Sequence, residues 1–388
     1  MTYEFHPSYN NCTIQSGILG YIGGVSLYYT LAAIVIALFF AMNIGASGAA
    51  AAMGVAYGSG AVKRKIVALL LVAVGVFLGA YLGGGEVVKT LGSGIIPSEL
   101  LTVQLVIVIL LSATLTLFGA NLMGIPLSTS EVTVGAVVGV GVAYQSLYVN
   151  NILVIVSFWL IVPLIAFVLA WGAGYLIRYL ERRDERWKGA GSGRWRTALT
   201  LLVILAGFVE AFSAGMNNVA NAVGPLVGAG LMSTESGVLW GGLFVALGAI
   251  LLGGKVLETN GKKITSMSLL QGIFISGTGG LLVIIASLFG IPVPLTQITT
   301  TAIVGMGTAE HGFRLWQKGI ISKIAKVWIV SPVLSLVVSF TLVHLAISPS
   351  PYTLAALVSL LIAAVGVKSL YDTIQKEKRE INENGGGI

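Results

Sequence analysis

Residues 45–60 read GASGAAAAMGVAYGSG, and residues 215–230 read GMNNVANAVGPLVGAG. Each stretch interrupts a hydrophobic run long enough to cross a bilayer, packing glycine, alanine and small polar side chains where leucine would be expected. Hydrocarbon cannot satisfy freed backbone groups, so such an interruption is tolerated only inside protein or beside a water-filled cavity. Paired interruptions in the two halves of a membrane chain point to a transporter's substrate site. The expected architecture is an all-α integral membrane protein. It consists of two inverted-topology repeats of about five spans each, with helices broken near the bilayer midplane.

Composition agrees with a membrane location. Mean hydropathy is +0.94, and only 10% of the 388 residues are charged, against about a quarter in soluble proteins. The 51 glycines lie within apolar runs, which favours closely packed helices over a β-barrel. A lone cysteine, Cys12, excludes an internal disulfide framework and a cysteine metal site, and no metal or other cofactor is expected. The net charge of +7 is concentrated in short loops, as membrane topology requires, and implies no nucleic-acid partner.

Apolar runs fall at 31–62, 66–83, 100–119, 124–143, 151–177, 197–230, 238–253, 269–290, 291–309, 327–347 and 352–370. If Lys63-Arg64-Lys65 faces the cytoplasm, alternation puts the basic loops 178–196, 254–268 and 310–326 and the tail after Lys368 on the same side. The opposite loops 144–150, 231–237 and 348–351 contain no lysine or arginine, and only 84–99, with Lys89, departs slightly. This predicts a multi-pass protein of the cytoplasmic membrane with eleven spans, an outside N-terminus and a cytoplasmic C-terminus. Residues 14–30 would form a twelfth span, an interfacial segment, or an upstream extension of the first helix. The expected units are an N-terminal segment 1–30, a first repeat 31–177, a basic linker 178–196, a second repeat 197–347, a C-terminal span 348–370 and a tail 371–388. Contact with membrane lipid follows.

Five runs separate 31–62 from 197–230, so the second half enters the membrane inverted. The opening stretches align without gaps 170 residues apart, with six of sixteen positions identical, all glycine or alanine. Further matches recur in order: GGEVVKTLG (84–92) with GGKVLETNG (253–261), GIPLSTSEVTVGAVVGVG (124–141) with GIPVPLTQITTTAIVGMG (290–307), and Trp159/Pro163 with Trp328/Pro332.

GMNNVANAVG resembles the GANDVANA signature of the inorganic phosphate transporter family, and GIPLSTSE resembles that family's PVSTTH segment. The resemblance covers nearly the whole chain from about residue 29. It implies anion uptake coupled to sodium or protons, and is compatible with a homodimer. The departures are specific. The signature aspartate is Gly48 in the first copy and Asn218 in the second. The signature asparagines are Ser47 and Ala51 in the first copy but Asn217 and Asn221 in the second. The histidine position holds Glu131, with Gln297 opposite it in the other half. MNIGASGAAAAMGVAYGSG and the GGGI tail resemble the sulfate permease (CysP-type) branch.

A tetrahedral oxyanion that must also be released needs donors and helix N-termini rather than full cationic pairing. Gly45, Gly48, Gly215 and Gly224 allow close backbone approach. Ser47, Ser128, Thr129, Ser130, Asn217, Asn218, Asn221, Thr296 and Gln297 supply polar side chains. Singly, small residues in membrane helices often serve packing alone. Phosphate retains a proton near neutrality, its second pKa being about 6, and can donate to a carboxylate. Sulfate offers only acceptors, so a facing carboxylate would leave two like charges desolvated. Losing both signature aspartates therefore favours sulfate, with thiosulfate and related oxyanions as further candidates. It also removes hard ligands for sodium, which favours protons as the coupling ion. Glu131, beside the serine–threonine cluster, and Glu210, five residues before Gly215, are the carboxylates placed to carry them. The reversed charges of Glu86/Lys89 and Lys255/Glu258 would allow Glu86–Lys255 and Lys89–Glu258 pairs across the halves, a candidate gate. The alternative is that these charges pair locally or snorkel.

The expected function is thus a secondary transporter importing sulfate by proton symport, with a phosphate symporter as the nearest rival. An intramembrane enzyme is disfavoured, because the only aspartates are Asp184 and Asp372, in predicted cytoplasmic segments, and HExxH is absent. GxxxxGK[ST] is absent too, and two large repeats favour alternating access over a passive channel.

Overall fold

The computed structural model describes residues 11–123, 127–184, 187, 193–258, 267–312, 320–347 and 352–383. Expected loop and terminal segments at 1–10, 259–266, 313–319, 348–351 and 384–388 lie outside the described residues. So do residues 185, 186 and 188–192 of the linker 178–196 and the Gly124-Ile125-Pro126 tripeptide. The described residues are helical or coil, without strands.

In chain order the helices are α1 (Asn11–Ile44), which passes into a π-turn at Gly45–Ala49, the short α2 (Gly54–Gly58), α3 (Lys65–Gly83), α4 (Gly85–Ser93), α5 (Val103–Met123), α6 (Thr129–Ala143) and α7 (Val149–Arg183). The second half contains α8 (Arg194–Gly228), α9 (Thr234–Leu252), a helical stretch at 254–258, α10 (Leu269–Leu288), α11 (Leu295–His311), α12 (Ile320–Leu342) with a π-turn at Val343–Ile347, and α13 (Thr353–Glu383). Residues 14–30 are thus continuous with the first membrane helix.

Among the described residues, eight helices are long and apolar enough to cross a membrane, against the eleven runs expected. For two of the runs the difference has a geometric cause. Runs 124–143 and 291–309 yield α6 and α11, of 15 and 17 residues. At 1.5 Å rise these reach only about 22–26 Å, short of the roughly 30 Å hydrocarbon core. Their N-termini therefore begin within the protein. The last run, 352–370, lies within α13, a continuous helix from Thr353 to Glu383 that is apolar over Leu357–Ser369.

A second expectation is corrected in the opposing stretch. Residues 215–228 are not broken; they continue α8 without interruption, Pro225 included. The small polar side chains there bond outward to neighbouring helices, leaving the backbone ladder intact. Only the first copy breaks, through the π-turn and the turn at 52–53 before α2.

The halves interlock rather than sit side by side. Helix α3 packs on α8 and α9 on α1, α6 packs on α12 and α11 on α7, and α10 and α5 pack on α8 and α1. Four backbone crossings hold the centre. A Cβ on Gly45 would overlap the carbonyl of Val245, and one on Gly215 that of Val76. One on Gly248 would overlap the carbonyl of Met42, and one on Gly79 that of Phe212. Glycine is required at these points because helix axes approach until backbone meets backbone, the packing mode membranes favour. Elsewhere Trp159 is buried and donates its indole N–H to the Pro292 carbonyl at 2.9 Å.

Candidate functional site

Three asparagines on α8 meet the first turn of α6. Asn217, Asn218 and Asn221 follow i, i+1, i+4 spacing, so they share one helical face, and none is more than 2% exposed. Opposite them, Ser128 adopts extended backbone and caps α6, its hydroxyl accepting from the Glu131 N–H at 3.4 Å. The Ser128 N–H donates in turn to Ser331 Oγ at 3.2 Å. This cap aims the α6 N-terminus, with its unpaired N–H groups and positive dipole end, at the asparagine face.

The side chains form one network. Thr129 Oγ1 donates to Asn218 Oδ1 at 3.1 Å, and Ser130 Oγ donates to Asn217 Oδ1 at 3.0 Å. Asn221 Nδ2 lies 3.4 Å from Thr129 Oγ1, Ser130 Oγ and Asn218 Oδ1. Asn217 also ties α8 to the segment before α11: its Nδ2 donates to Ser287 Oγ at 3.1 Å and to the Ile291 carbonyl at 3.3 Å, and its Oδ1 accepts from Val293 N at 3.3 Å. These hydroxyl and amide donors, which an oxyanion would need, are therefore present but engaged with neighbouring amide, hydroxyl and backbone carbonyl oxygens. A ligand would bind by taking over these hydroxyl and amide donors.

Gly48 joins this site from the first half. A Cβ there would sit in ordinary contact with Asn218 Nδ2, at 3.6 Å. The two positions where the family signature has aspartate are thus neighbours in space, and here they present no charge. Ser47 does not join it as a donor, because its hydroxyl bonds back to the Asn43 and Ile44 carbonyls at 3.0 and 3.4 Å. Thr296 is half-buried, and the bond recorded at this residue uses its carbonyl, which accepts from Thr300 Oγ1 at 2.6 Å.

Gln297 belongs with the carboxylate instead. Its Nε2 donates to Glu131 Oε1, linking α11 to α6. Thr299, two residues on and so on the other side of α11, donates to Glu210 Oε1 at 2.8 Å. Glu210 lies seven residues before Asn217, about 10 Å away along the same face of α8. Both carboxylates are buried, at 1% and 3% exposure. Among the described residues, no group of three histidine, cysteine, aspartate or glutamate side chains is placed to hold a metal.

The proposed gate is not the pairing seen. Lys89 bonds Glu86 on its own helix at 2.7 Å, and Glu258 bonds Lys65 at the start of α3, also at 2.7 Å. Helix α9 explains why: Gly85 lies by its first residue, Thr234, whereas Lys255 and Glu258 follow its end. The 19 residues of that helix separate the two charge clusters by about 28 Å.

Ser287, Ser331 and Thr299 take part in these contacts without having been singled out by sequence, where Lys65 marks only the cytoplasmic side. A lone serine or threonine in an apolar run has no periodic signal, and these contacts join residues far apart in the chain. Ser331 offered the one available clue, standing immediately before Pro332 in the Trp328–Pro332 repeat match.

The site is a buried, uncharged cluster of polar side chains at the N-terminus of α6 within a multi-helix scaffold, and the class of protein follows from its relatives, which are permeases. The chain belongs to the phosphate transporter family, whose model matches residues 44–339. It is 58% identical over 358 residues to the sulfate permease CysP of Bacillus subtilis (strain 168), covering 92% of this chain and 99% of that protein. A solved structure of a sodium-dependent phosphate transporter has the same fold, with a TM-score of 0.72 at 22% identity, over 81% of this chain and 97% of the other.

Proposed function

We propose that this protein imports sulfate across the cytoplasmic membrane by proton symport with alternating access. One observation carries the reading: the buried cluster of Thr129, Ser130, Asn217, Asn218 and Asn221 contains hydroxyl and amide groups but no aspartate at either Gly48 or Asn218. Such a site suits a dianion that has no proton to donate, since it adds no like charge and offers hydroxyl and amide donors and a helix dipole. The similarity to a protein named sulfate permease supports the same substrate. Thiosulfate and related oxyanions share this chemistry.

In this reading Ser128, Thr129, Ser130 and the asparagines bind the anion, with Gly48 opening the space beside Asn218. Glu131 takes the coupling proton, which offsets the charge of the arriving dianion, and Glu210 is the second candidate. The burial of the whole cluster fits an occluded stage of the cycle. Alternating access arises from two inverted repeats, 31–177 and 197–347, joined by the cytoplasmic linker. Supporting this symmetry, Gly45 and Gly215 meet carbonyls of α9 and α3, as Gly79 and Gly248 meet those of α8 and α1. The basic loops favour an outside N-terminus and a cytoplasmic C-terminus.

Phosphate is the second reading, favoured by the family model and by the phosphate transporter that shares the fold. Purified protein in liposomes, given labelled sulfate under a proton gradient, a sodium gradient or neither, separates the two. Proton-driven uptake inhibited by sulfate and thiosulfate more than by phosphate is expected. Uptake driven by sodium alone, or blocked better by phosphate, sinks the sulfate–proton assignment.

A further inference from the structure

Glu131 and Gln297 occupy equivalent places in the two GIP segments, 166 residues apart, yet they meet at the centre of the molecule. Gln297 Nε2 donates to Glu131 Oε1. The other polar atom on each side, Glu131 Oε2 and Gln297 Oε1, is buried without a well-formed hydrogen bond, the nearby Ser331 hydroxyl lying 3.5 Å from the Ser128 carbonyl as well. An ionised carboxylate and an amide oxygen can only accept, so this leaves two acceptors unsatisfied where water does not reach. Each such group costs stability.

A single proton resolves both. Placed on Oε2, it turns an acceptor into a donor matched to the Gln297 oxygen, closing a ring of two hydrogen bonds. The opposite orientation of the Gln297 amide changes nothing essential. It would set the amide oxygen against Glu131 Oε1, a contact that itself requires a proton between them. We infer that Glu131 and Gln297 together hold one proton as an acid–amide ring clasping the two halves, with Gln297 as the positioning residue. This rests on the coupling role given to Glu131 above and adds where the proton sits and what its departure does. Deprotonation leaves one N–H to a bare carboxylate and releases α11 from α6.

Among the described residues, no other charge stands in for that proton in the packing around α6. Helix α5 has no titratable residue, and Glu210 of α8 is bound by Thr299. Arg194 and Arg196 start α8, far along it from the asparagines, and Lys326 is exposed near the start of α12. His344, in the π-turn after α12, stacks edge-on against Phe340. Glu310, at the far end of α11, accepts from Gln271.

Infrared difference spectroscopy of the full chain in lipid tests this. At neutral pH the wild type should show a protonated, strongly hydrogen-bonded carboxyl band that Glu131→Gln removes, which separates it from any Glu210 contribution. Gln297→Leu should move that band to the higher frequency of a free acid, and Gln297→Asn, which keeps an amide but shortens its reach, should move it part of the way. The ring is overturned by a band that is missing in the wild type, that survives Glu131→Gln, that is unmoved in both Gln297 variants, or that sodium abolishes. Transport fails separately. If Glu131→Gln keeps the wild-type pH dependence of sulfate uptake while the band behaves as expected, the ring stands and the coupling role of Glu131 falls.

Discussion

The stretches 45–60 and 215–230 match in length and in every glycine but Gly48, yet they do opposite things. The first breaks its helix at a π-turn, turns the Ser47 hydroxyl back onto its own backbone, and brings Gly48 to the site as open space. The second stays an unbroken helix and sends three amides across to α6 and the segment before α11. Side-chain chemistry and backbone irregularity have been divided between the copies. A helix whose polar side chains find partners outside it has no reason to open its own ladder. Where side chains are reduced to alanine and glycine, no lateral bonds hold the helix to one geometry.

This division can be tested by substitution, beginning with the largest effect. Asn217→Leu strips partners from Ser130, Ser287, Ile291 and Val293 together, and leaving such buried groups unpaired costs about 1–3 kcal/mol each. Labelled sulfate uptake should fall about a hundredfold or more, the equivalent of roughly 3 kcal/mol. If uptake survives, the second copy does not supply the binding chemistry. Gly48→Asp comes next. Its Cβ has room, so the effect should be one of charge, with sulfate uptake down about tenfold and competition shifted toward phosphate. Equal losses for both anions would mean the space, not the charge, matters.

Gly45→Ala probes the other property of the first copy. Its Cβ collides with the Val245 carbonyl, so the protein should lose about 1–3 kcal/mol of stability, read as a lower thermal midpoint in detergent, with anion selectivity unchanged. The smallest effect is expected from Ser47→Ala. Because that hydroxyl serves its own helix, uptake should change by less than about twofold. A tenfold loss would show that Ser47 turns outward during the cycle and would narrow the contrast between the copies.

Much of this was legible in sequence: the helical class, the paired stretches, the Asn217/Asn218/Asn221 cluster and its meeting with Ser128–Ser130. Periodicity, composition and a polar group in an apolar run report such features directly. The continuity of α8 was not legible, because GMNNVANAVG has the composition of a break, and only its partners on other helices explain why it is not one. The cross-half charge pairs give way to the local alternative, Lys89 with Glu86, for a related reason. Glu86 and Lys255 are equivalent by alignment, but the length of α9 sets them at its opposite ends. The Glu131–Gln297 contact was half visible, as two positions matched in the repeat, while their closeness depends on how α6 and α11 cross.

The four glycine–carbonyl crossings among α1, α3, α8 and α9 bear on how this sequence can drift. Each crossing depends on which residue faces the neighbour, and an inserted or deleted residue rotates everything beyond it by about 100°. These four helices should therefore accept wide exchange among apolar side chains on their lipid faces while rejecting any change in length. Insertions belong instead to the loops between them, so a map of tolerated indels would trace the outline of the central scaffold without any structure at all.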